Sequence, residues 1–181
     1  MGDEKPLVLV VDDNPQNIQV LGNLLMAREY EVGVAQNGAI ALQFIEERLP
    51  DLILLDIMMP EMDGIELCKT LKKNILLSHI PVIFLTAKTS TEDIVRGFEA
   101  GGVDYVTKPF IAVELLARVK AHLEIRYLRN LIPICAYCRK IRDDEGFWSK
   151  VEVYFKKYTK TQFSHGICEE CVEKIYKDQD L

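Results

Sequence analysis

The chain has 181 residues, 49% of them hydrophobic and 28% charged, with a formal net charge of −6. That balance belongs to a soluble globular chain and excludes disordered, collagen-like and coiled-coil architectures. No apolar run approaches the roughly 18 residues of a membrane span, and MGDEKP at the N-terminus lacks the basic and apolar stretches of a signal peptide, so a cytoplasmic protein without a membrane partner is expected.

The elements follow in chain order. Leu7-Val-Leu-Val-Val11 is a continuous apolar run, the pattern of a strand buried on both faces. Asn14 then caps a helix with Pro15 in its first position, along which Ile18, Leu21, Leu24 and Leu25 recur at helical spacing. A short strand over Glu31–Ala35 leads to a helix capped by Asn37 that carries Ile40, Leu42, Phe44 and Ile45. Asp51–Asp56 is a second buried strand, followed by a loop with Pro60, Asp63 and Gly64 and a helix over Ile65–Lys73. Pro81–Thr86, a helix over Thr91–Ala100, a strand over Val103–Val106 and a long helix from Ile111 complete five β/α units. Such a series predicts a five-stranded parallel α/β sheet with helices on both faces, because right-handed crossovers place them there.

Ligands of open parallel sheets sit outside the carboxyl ends of the strands. The residues there are Asp12 and Asp13 after the first strand, Asp56 after the third, Thr86 after the fourth and Lys108 after the fifth. Three carboxylates at one edge repel one another unless a cation or a shared proton joins them, and a hard divalent ion such as Mg²⁺ suits such an open acidic cleft. A lysine and a hydroxyl converging on the same point would neutralise and orient a phosphoryl group. Taken singly, Asp12 and Asp13 read as helix-capping acids and Lys108 as a solvated charge; five polar residues on one edge argue for a site.

The motifs VDDN at Val11–Asn14, LLDIMMPEMDG at Leu54–Gly64, FLTAK at Phe84–Lys88 and DYVTKPF at Asp104–Phe110, in this order and spacing, give residues 1–131 a resemblance to the receiver domain of bacterial two-component response regulators. The resemblance implies a flavodoxin-like, doubly wound sheet with strand order 2-1-3-4-5. It implies that Asp56 is the phosphoacceptor for a sensor histidine kinase, so that the protein is a signalling switch and an enzyme only toward its own phosphoryl group. It further implies Mg²⁺ held by Asp13, Asp56 and the backbone carbonyl of Met58, with Asp12 acting through water. Thr86 and the N–H of Ala87 would bind phosphoryl oxygens, Lys108 would pair with the phosphoryl group, and Lys108–Pro109 would be a cis peptide. Phosphorylation adds nearly two negative charges at one point; drawn toward them, Thr86 would vacate space for Tyr105 to turn inward.

Residues 132–181 have a different chemistry. Arg and Lys number 13 and Asp and Glu 19 before Ile132, against 9 and 9 from Ile132 onward, and four of the five cysteines lie in the last 47 residues. Cys135-x₂-Cys138 and Cys168-x₂-Cys171, 29 residues apart, have the spacing of two knuckles presenting four thiolates to one tetrahedral Zn²⁺. A module of this size has too small a core to fold readily alone, and a structural metal would supply the deficit. An iron centre and redox-active dithiols remain open. Between the pairs, Asp143–Gly146 reads as a turn, Ser149-x-x-Glu152 as a capping box with Trp148 and Val153 as its hydrophobic staple, and Val151, Tyr154, Phe155 and Tyr158 as one helix face. A second helix is expected over Glu169–Lys177, with Val172, Ile175 and Tyr176 on its apolar side. His165 reads as a residue beside the metal rather than a ligand, Cys68 as a small apolar residue, and His79 and His122 as surface residues without partners. The segment also resembles a short cysteine-rich extension found on some bacterial sensor kinases and receivers, which implies modularity and no particular mechanism.

Four readings compete. The first is a phosphorylation-controlled switch whose metal-bound tail engages another protein. A DNA-binding regulator is disfavoured by a tail with no net positive charge and by Lys156, Lys157 and Lys160 as its one basic cluster. A phosphatase would want a second acid where Met58 stands, and a thiol redox sensor would use the tail cysteines directly. Finally, the helix from Ile111 is expected to run through Leu131, with Leu116, Val119, Leu123 and Tyr127 as a stripe that the sheet cannot fully cover, available for a phosphorylation-promoted homodimer.

Overall fold

The computed structural model describes residues 5–60, 62–87, 91–129, 133–143, 145–158 and 162–172. By internal contacts the chain divides into two units, Met1–Asn130 and Leu131–Leu181.

In the first unit, β1 (Leu7–Val11), β2 (Glu31–Ala35), β3 (Leu52–Asp56), β4 (Val82–Thr86) and β5 (Asp104–Thr107) alternate with α1 (Pro15–Met26), α2 (Gly38–Glu47), α3 (Gly64–Lys73), α4 (Thr91–Glu99) and α5 (Ala112–Arg129). The sheet is parallel throughout, in the order β2-β1-β3-β4-β5, as expected. β1, β3 and β4 are buried at every position, because successive side chains leave opposite faces and both faces are covered. Leu9, Val11, Ile53, Leu55, Val82 and Phe84 enter one core with Ala41, Ile45, Leu67 and Leu71, while Val8, Val10, Leu52, Leu54, Ile83 and Leu85 enter the other with Leu21, Leu25, Leu115 and Val119. Each fully buried aliphatic side chain of this kind is worth about 1.5–3 kcal/mol.

Local chemistry sets the helix starts. The Asn14 side chain accepts from Gln16 N–H, Asn37 from Ile40 N–H and Asp63 from Glu66 N–H, at 2.7–2.9 Å. The core-facing set of α2 differs from expectation: Ala41 and Ile45 are buried, whereas Ile40 is exposed. Cys68 is fully enclosed, its thiol donates to the Ala100 carbonyl, and burial pushes it up to about 11. α5 buries Leu115 and Val119 and packs Leu116 and Leu123 against the same core, which corrects the expected stripe: of its four residues Tyr127 is exposed, with Ile125 and Leu128 beside it, because the sheet reaches farther along α5 than expected. The expected continuation to Leu131 lies outside the described residues. No helix among the described residues is long and apolar enough to cross a membrane.

In the second unit, β6 (Ile141–Arg142) pairs antiparallel with β7 (Trp148–Ser149), ahead of α6 (Val151–Tyr158). The connection turns through Gly146 at φ +88, with Asp143 accepting from Phe147 N–H; Asp144 lies outside the described residues. The capping box is displaced. Ser149 is held in the ribbon opposite Ile141, and the first helical bond runs from Tyr154 N–H to the Lys150 carbonyl, so Lys150 occupies the cap position. Trp148 likewise lies with the Arg142 guanidinium 5.8 Å from its ring centroid, and Val153 is exposed, so the two do not form the expected staple. Residues 169–172 are helical, and the rest of the expected second helix lies outside the described residues.

Candidate functional site

Parallel strands end their side chains at one edge, and three of those ends converge. Asp12 follows β1, Asp56 closes β3, and Lys108 follows β5 beside the cis peptide to Pro109. Lys108 Nζ donates to Asp56 Oδ2 at 2.6 Å and to Asp12 Oδ2 at 2.7 Å. Asp12 is fully buried and Asp56 nearly so, while Asp13 is exposed at the rim. One ligand oxygen from each of the three aspartates lies within 4.8 Å of the others, the one group of three or more such ligand residues gathered this closely among the described residues.

Burial pushes the Asp56 carboxyl up, and neighbouring Asp12 adds to it; the Lys108 hydrogen bond and the Met58 N–H, 3.2 Å from Asp56 Oδ1, only partly offset that. Burial alone would pull Lys108 down, but its bonds to Asp12 and Asp56 outweigh that and hold it above the ordinary lysine value. One lysine against three carboxylates leaves the edge two charges negative, so a divalent cation with hard oxygen preferences fits the donor set.

The other expected residues fall around this centre. Thr86 ends β4 and is buried, and Ala87 follows it, exposed. Met58 exposes its side chain in a cleft that Asp13 also lines. Tyr105, half-buried on β5, packs edge-to-face on Phe98 with centroids 6.3 Å apart. Thr86 and Tyr105 line one small cavity together with Ile57, Ile94 and Phe98. Asn17 was not singled out from the sequence, yet its side-chain amide donates to both oxygens of Asp12 at 2.9 and 3.0 Å. Its place in the first turns of α1, five residues after Asp12, is the signal that could have found it.

Gly64 keeps the loop after Asp56 tight. Its N–H donates to the Ile57 carbonyl, and a Cβ there would stand 2.1 Å from the Asp56 carbonyl oxygen. Gly64→Ala should therefore push α3 off the end of β3 and cost at least about 2 kcal/mol, read as a lower denaturant midpoint at unchanged slope; an unchanged midpoint would contradict this packing.

His122 is corrected by the structure. It lies on α5 with Nε2 3.1 Å from Asp104 Oδ2, and Arg118 Nη1 donates to both Asp104 oxygens at 2.7 and 2.8 Å. The eighteen-residue separation concealed a partner that the β5–α5 turn brings back. Burial raises Asp104, but Arg118, Tyr105 N–H and His122 together outweigh it and hold the carboxyl below its ordinary value. A depressed carboxylate contributes stability that is present above its unfolded value of about 4 and lost as pH falls through the folded value. Asp104→Asn should lower the melting temperature at pH 7 and make a smaller difference in strong acid.

In the second unit, Cys138 N–H donates to Cys135 Sγ at 3.4 Å, and Arg139 adopts φ +59 while its N–H returns to the Cys135 carbonyl. Backbone N–H groups of Cys138 and Tyr137 lower the Cys135 thiol, and those of Cys171 and Glu170 help lower Cys168. All four thiols are free; Cys135 is half-buried and the others are exposed. Each pair is thus locally arranged, and the two pairs are not gathered into one group of ligand atoms within 4.8 Å of one another. His165 is exposed.

A doubly wound parallel sheet with an acidic, lysine-bridged pocket at its carboxyl edge defines an α/β domain whose strand ends gather carboxylates able to hold a cation. Residues 8–120 match the response regulator receiver domain, and the chain belongs to that family. It is 45% identical over 116 residues to the DNA-binding response regulator MtrA of Mycolicibacterium smegmatis, covering 64% of this chain and 50% of that one. It is 45% identical over 114 residues to the response regulator PleD of Caulobacter vibrioides, covering 63% and 25% respectively. The crystal structure of the signal receiver domain of a signal transduction histidine kinase from Syntrophus aciditrophicus superposes with a TM-score of 0.64 at 36% identity, over 73% of this chain and 98% of that one. The chain therefore spans half or less of these two curated relatives. Receiver domains bind Mg²⁺ at an acidic site, and Asp12, Asp13 and Asp56 form that cluster here.

Proposed function

We propose that the protein is a response regulator in which Asp56 accepts a phosphoryl group from the phosphohistidine of a sensor kinase. The observation that carries this reading is Lys108, which bridges two buried carboxylates at 2.6 and 2.7 Å, one of them raised by burial. A carboxylate is a modest nucleophile, but phosphoryl transfer through a loose transition state depends on alignment and charge neutralisation more than on basicity. An Asp56 oxygen attacks phosphorus in line as the phosphorus–nitrogen bond to the kinase histidine breaks, leaving an acyl phosphate on Asp56. Lys108 shifts its hydrogen bond to a phosphoryl oxygen, and the Thr86 hydroxyl and Ala87 N–H receive the others. Asn17 and Lys108 keep Asp12 oriented behind the site. Asp13, Asp56 and the Met58 carbonyl would hold Mg²⁺, with Asp12 acting through water; the ion supplies charge neutralisation for the phosphoryl oxygens.

The same reading links the site to its output face. Thr86 moving toward the phosphoryl group enlarges the cavity it shares with Tyr105, into which the tyrosine ring can turn. Apart from this self-directed chemistry the protein is a cytoplasmic switch and not an enzyme. Incubation with an acyl-phosphate donor and Mg²⁺ should add one hydroxylamine-labile phosphoryl group per chain; a label stable to hydroxylamine would overturn the assignment to a carboxylate.

The tail is read as a zinc module, residues 132–181, through which the switch engages a protein partner. Support comes from the N–H···S bond in the first pair and from the backbone N–H groups that lower Cys135 and Cys168, since thiolates are the ligand form. Tail output to DNA would have to work with as many acidic as basic residues in the tail, and thiol redox sensing would use the same four sulfurs without metal. Exposed Ile125, Tyr127 and Leu128 at the end of α5 offer a seam for a phosphorylation-promoted dimer. Light scattering with a phosphoryl mimic and Mg²⁺ should show a mass increase toward dimer; a monomer in both states at tens of micromolar would exclude it.

A further inference from the structure

Below the amino ends of β4 and β5, at the edge of the sheet opposite Asp56, a cavity of about 500 Å³ opens between the α3–β4 connection and the second half of α5. Five residues of β4 separate the two edges, which at about 3.3 Å per residue puts the cavity some ~15 Å from the aspartate cluster. Its polar lining is Lys72, Ser78, His79, His122 and Arg126, without a carboxylate.

These cations brace loops. Lys72 Nζ donates to the Ser78 and Ile80 carbonyls at 2.8 and 2.6 Å, and Arg126 Nη1 donates to the Pro50 carbonyl at 2.7 Å. Bracing does not exhaust them. An ammonium has three N–H donors and a guanidinium five, so one remains on Lys72 beyond these bonds, and three on Arg126 once its Nη1 also faces Asp51. The carboxylates nearest to them are already shared. Asp51 lies 3.4 Å from Arg126 and accepts from Leu7 N–H, and Asp104 is held by two bonds from Arg118 as well as by His122. Asp51 offsets Arg126 and Asp104 is offset by Arg118, so the cavity keeps the positive charge of Lys72, whose bonds run to neutral carbonyls. His79 at its rim is held below the ordinary histidine value first by partial burial, then by Arg126 and Lys72. Two imidazoles beside one cavity would otherwise invite a metal cation, but the same two cations repel one.

We propose that this cavity binds a small oxyanion of the phosphate class, held by Lys72 and Arg126 from within and by His79 and His122 at its sides. Charge-assisted N–H···O bonds from an ammonium and a guanidinium are the strongest of their kind, and a cavity of this volume admits pyrophosphate or a small organic phosphate. Nothing at Asp56 takes part, so the site stands or falls independently of phosphoryl transfer.

The test uses the full chain in buffer without added Mg²⁺, with pyrophosphate as the probe and the histidine ring signals followed by NMR. His79 and His122 should shift saturably, with a midpoint on the order of 0.1–1 mM, while His165 in the second unit stays in place. Lys72→Met and His79→Gln should each weaken binding about tenfold, and Asp56→Asn should leave it unchanged. Because Lys72 also braces a loop, the exposed His79→Gln variant, read through His122, decides the matter should Lys72→Met fail to fold. Equal shifts with potassium chloride at matched ionic strength, parallel movement of His165, or undiminished affinity in the His79→Gln protein would overturn the assignment.

Discussion

Asp56→Asn is expected to abolish phosphoryl uptake from an acyl-phosphate donor while leaving the fold at least as stable as in the parent protein. The amide keeps the shape of the carboxylate but removes the nucleophilic charge, and no other carboxylate takes its place: Asp12 is enclosed by Asn17, Lys108 and Asn14 N–H, and Asp13 lies at the rim. Stability should hold because burial and Asp12 already disfavour the ionised form of Asp56, and a carboxyl raised in the folded state destabilises the fold at pH values above its own. In buffer without Mg²⁺ the variant should therefore melt no lower than the parent at pH 7, and Lys108 keeps its bond to Asp12. Lys108→Ala should behave differently. It leaves the nucleophile in place but removes the cation that bonds both carboxylates, so labelling should slow by about 10²–10³-fold, the usual loss when one donor to a developing charge is deleted. Its Tyr105 should not respond to the phosphoryl group that does attach, which the intrinsic fluorescence of the chain can follow. Mass spectrometry at fixed times distinguishes the two variants. Full labelling of the Asp56→Asn protein would show that the nucleophile lies elsewhere.

The parts of this site that follow from position along a strand were legible in the sequence. Uninterrupted apolar runs announce strands buried on both sides, and the polar residue that ends each run must sit at the carboxyl edge, which is how Asp12, Asp56, Thr86 and Lys108 were placed together. Contacts that close through space at a distance unrelated to either period were not legible. Asn17 reaches Asp12 because the Asn14 cap turns α1 back over the strand end, and His122 meets Asp104 because α5 returns along β5. Propensity also misled where tertiary pairing prevailed. Ser149 has the chemistry of a helix cap, but opposite Ile141 its backbone belongs to a ribbon, and the helix starts after Lys150 instead. The first unit has two cores large enough for pattern to dictate placement. The second is organised by turns at Arg139 and Gly146, a two-residue ribbon and four cysteines, where pattern carries little information.

Replacing any one of Cys135, Cys138, Cys168 or Cys171 by serine is expected to release one bound zinc per chain and unfold the residues beyond Leu131, with phosphoryl uptake at Asp56 unaffected. The second unit buries little by itself. Among its described hydrophobic residues Ile141 is the one that is buried, whereas Tyr137, Phe147, Trp148, Phe163 and Ile167 are exposed. Its described ties include the Tyr154–Phe155 and Phe155–Phe163 ring contacts, the Arg142–Trp148 stack and the Lys157–Asp143 pair at 3.6 Å, each worth on the order of 1 kcal/mol. A structural zinc contributes an apparent ~10–16 kcal/mol at neutral pH, so binding and folding of such a module should be a single event. The knuckle at Cys135 is arranged in advance by the Cys138 N–H and the left-handed Arg139, and the Cys168 backbone carbonyl accepts from Cys171 N–H and Val172 N–H at the start of a helical turn. Loss of one thiolate should cost the metal, because serine's hydroxyl stays protonated where a thiolate would bind. His165→Ala should retain zinc, as the four sulfurs already complete a tetrahedral shell. Elemental analysis of the purified protein and its five variants, paired with circular dichroism and phosphoryl labelling, reads all of these at once. Metal-free protein with four freely titratable tail thiols and an unchanged tail fold would overturn the zinc assignment and leave thiol redox chemistry as the reading of the two cysteine pairs.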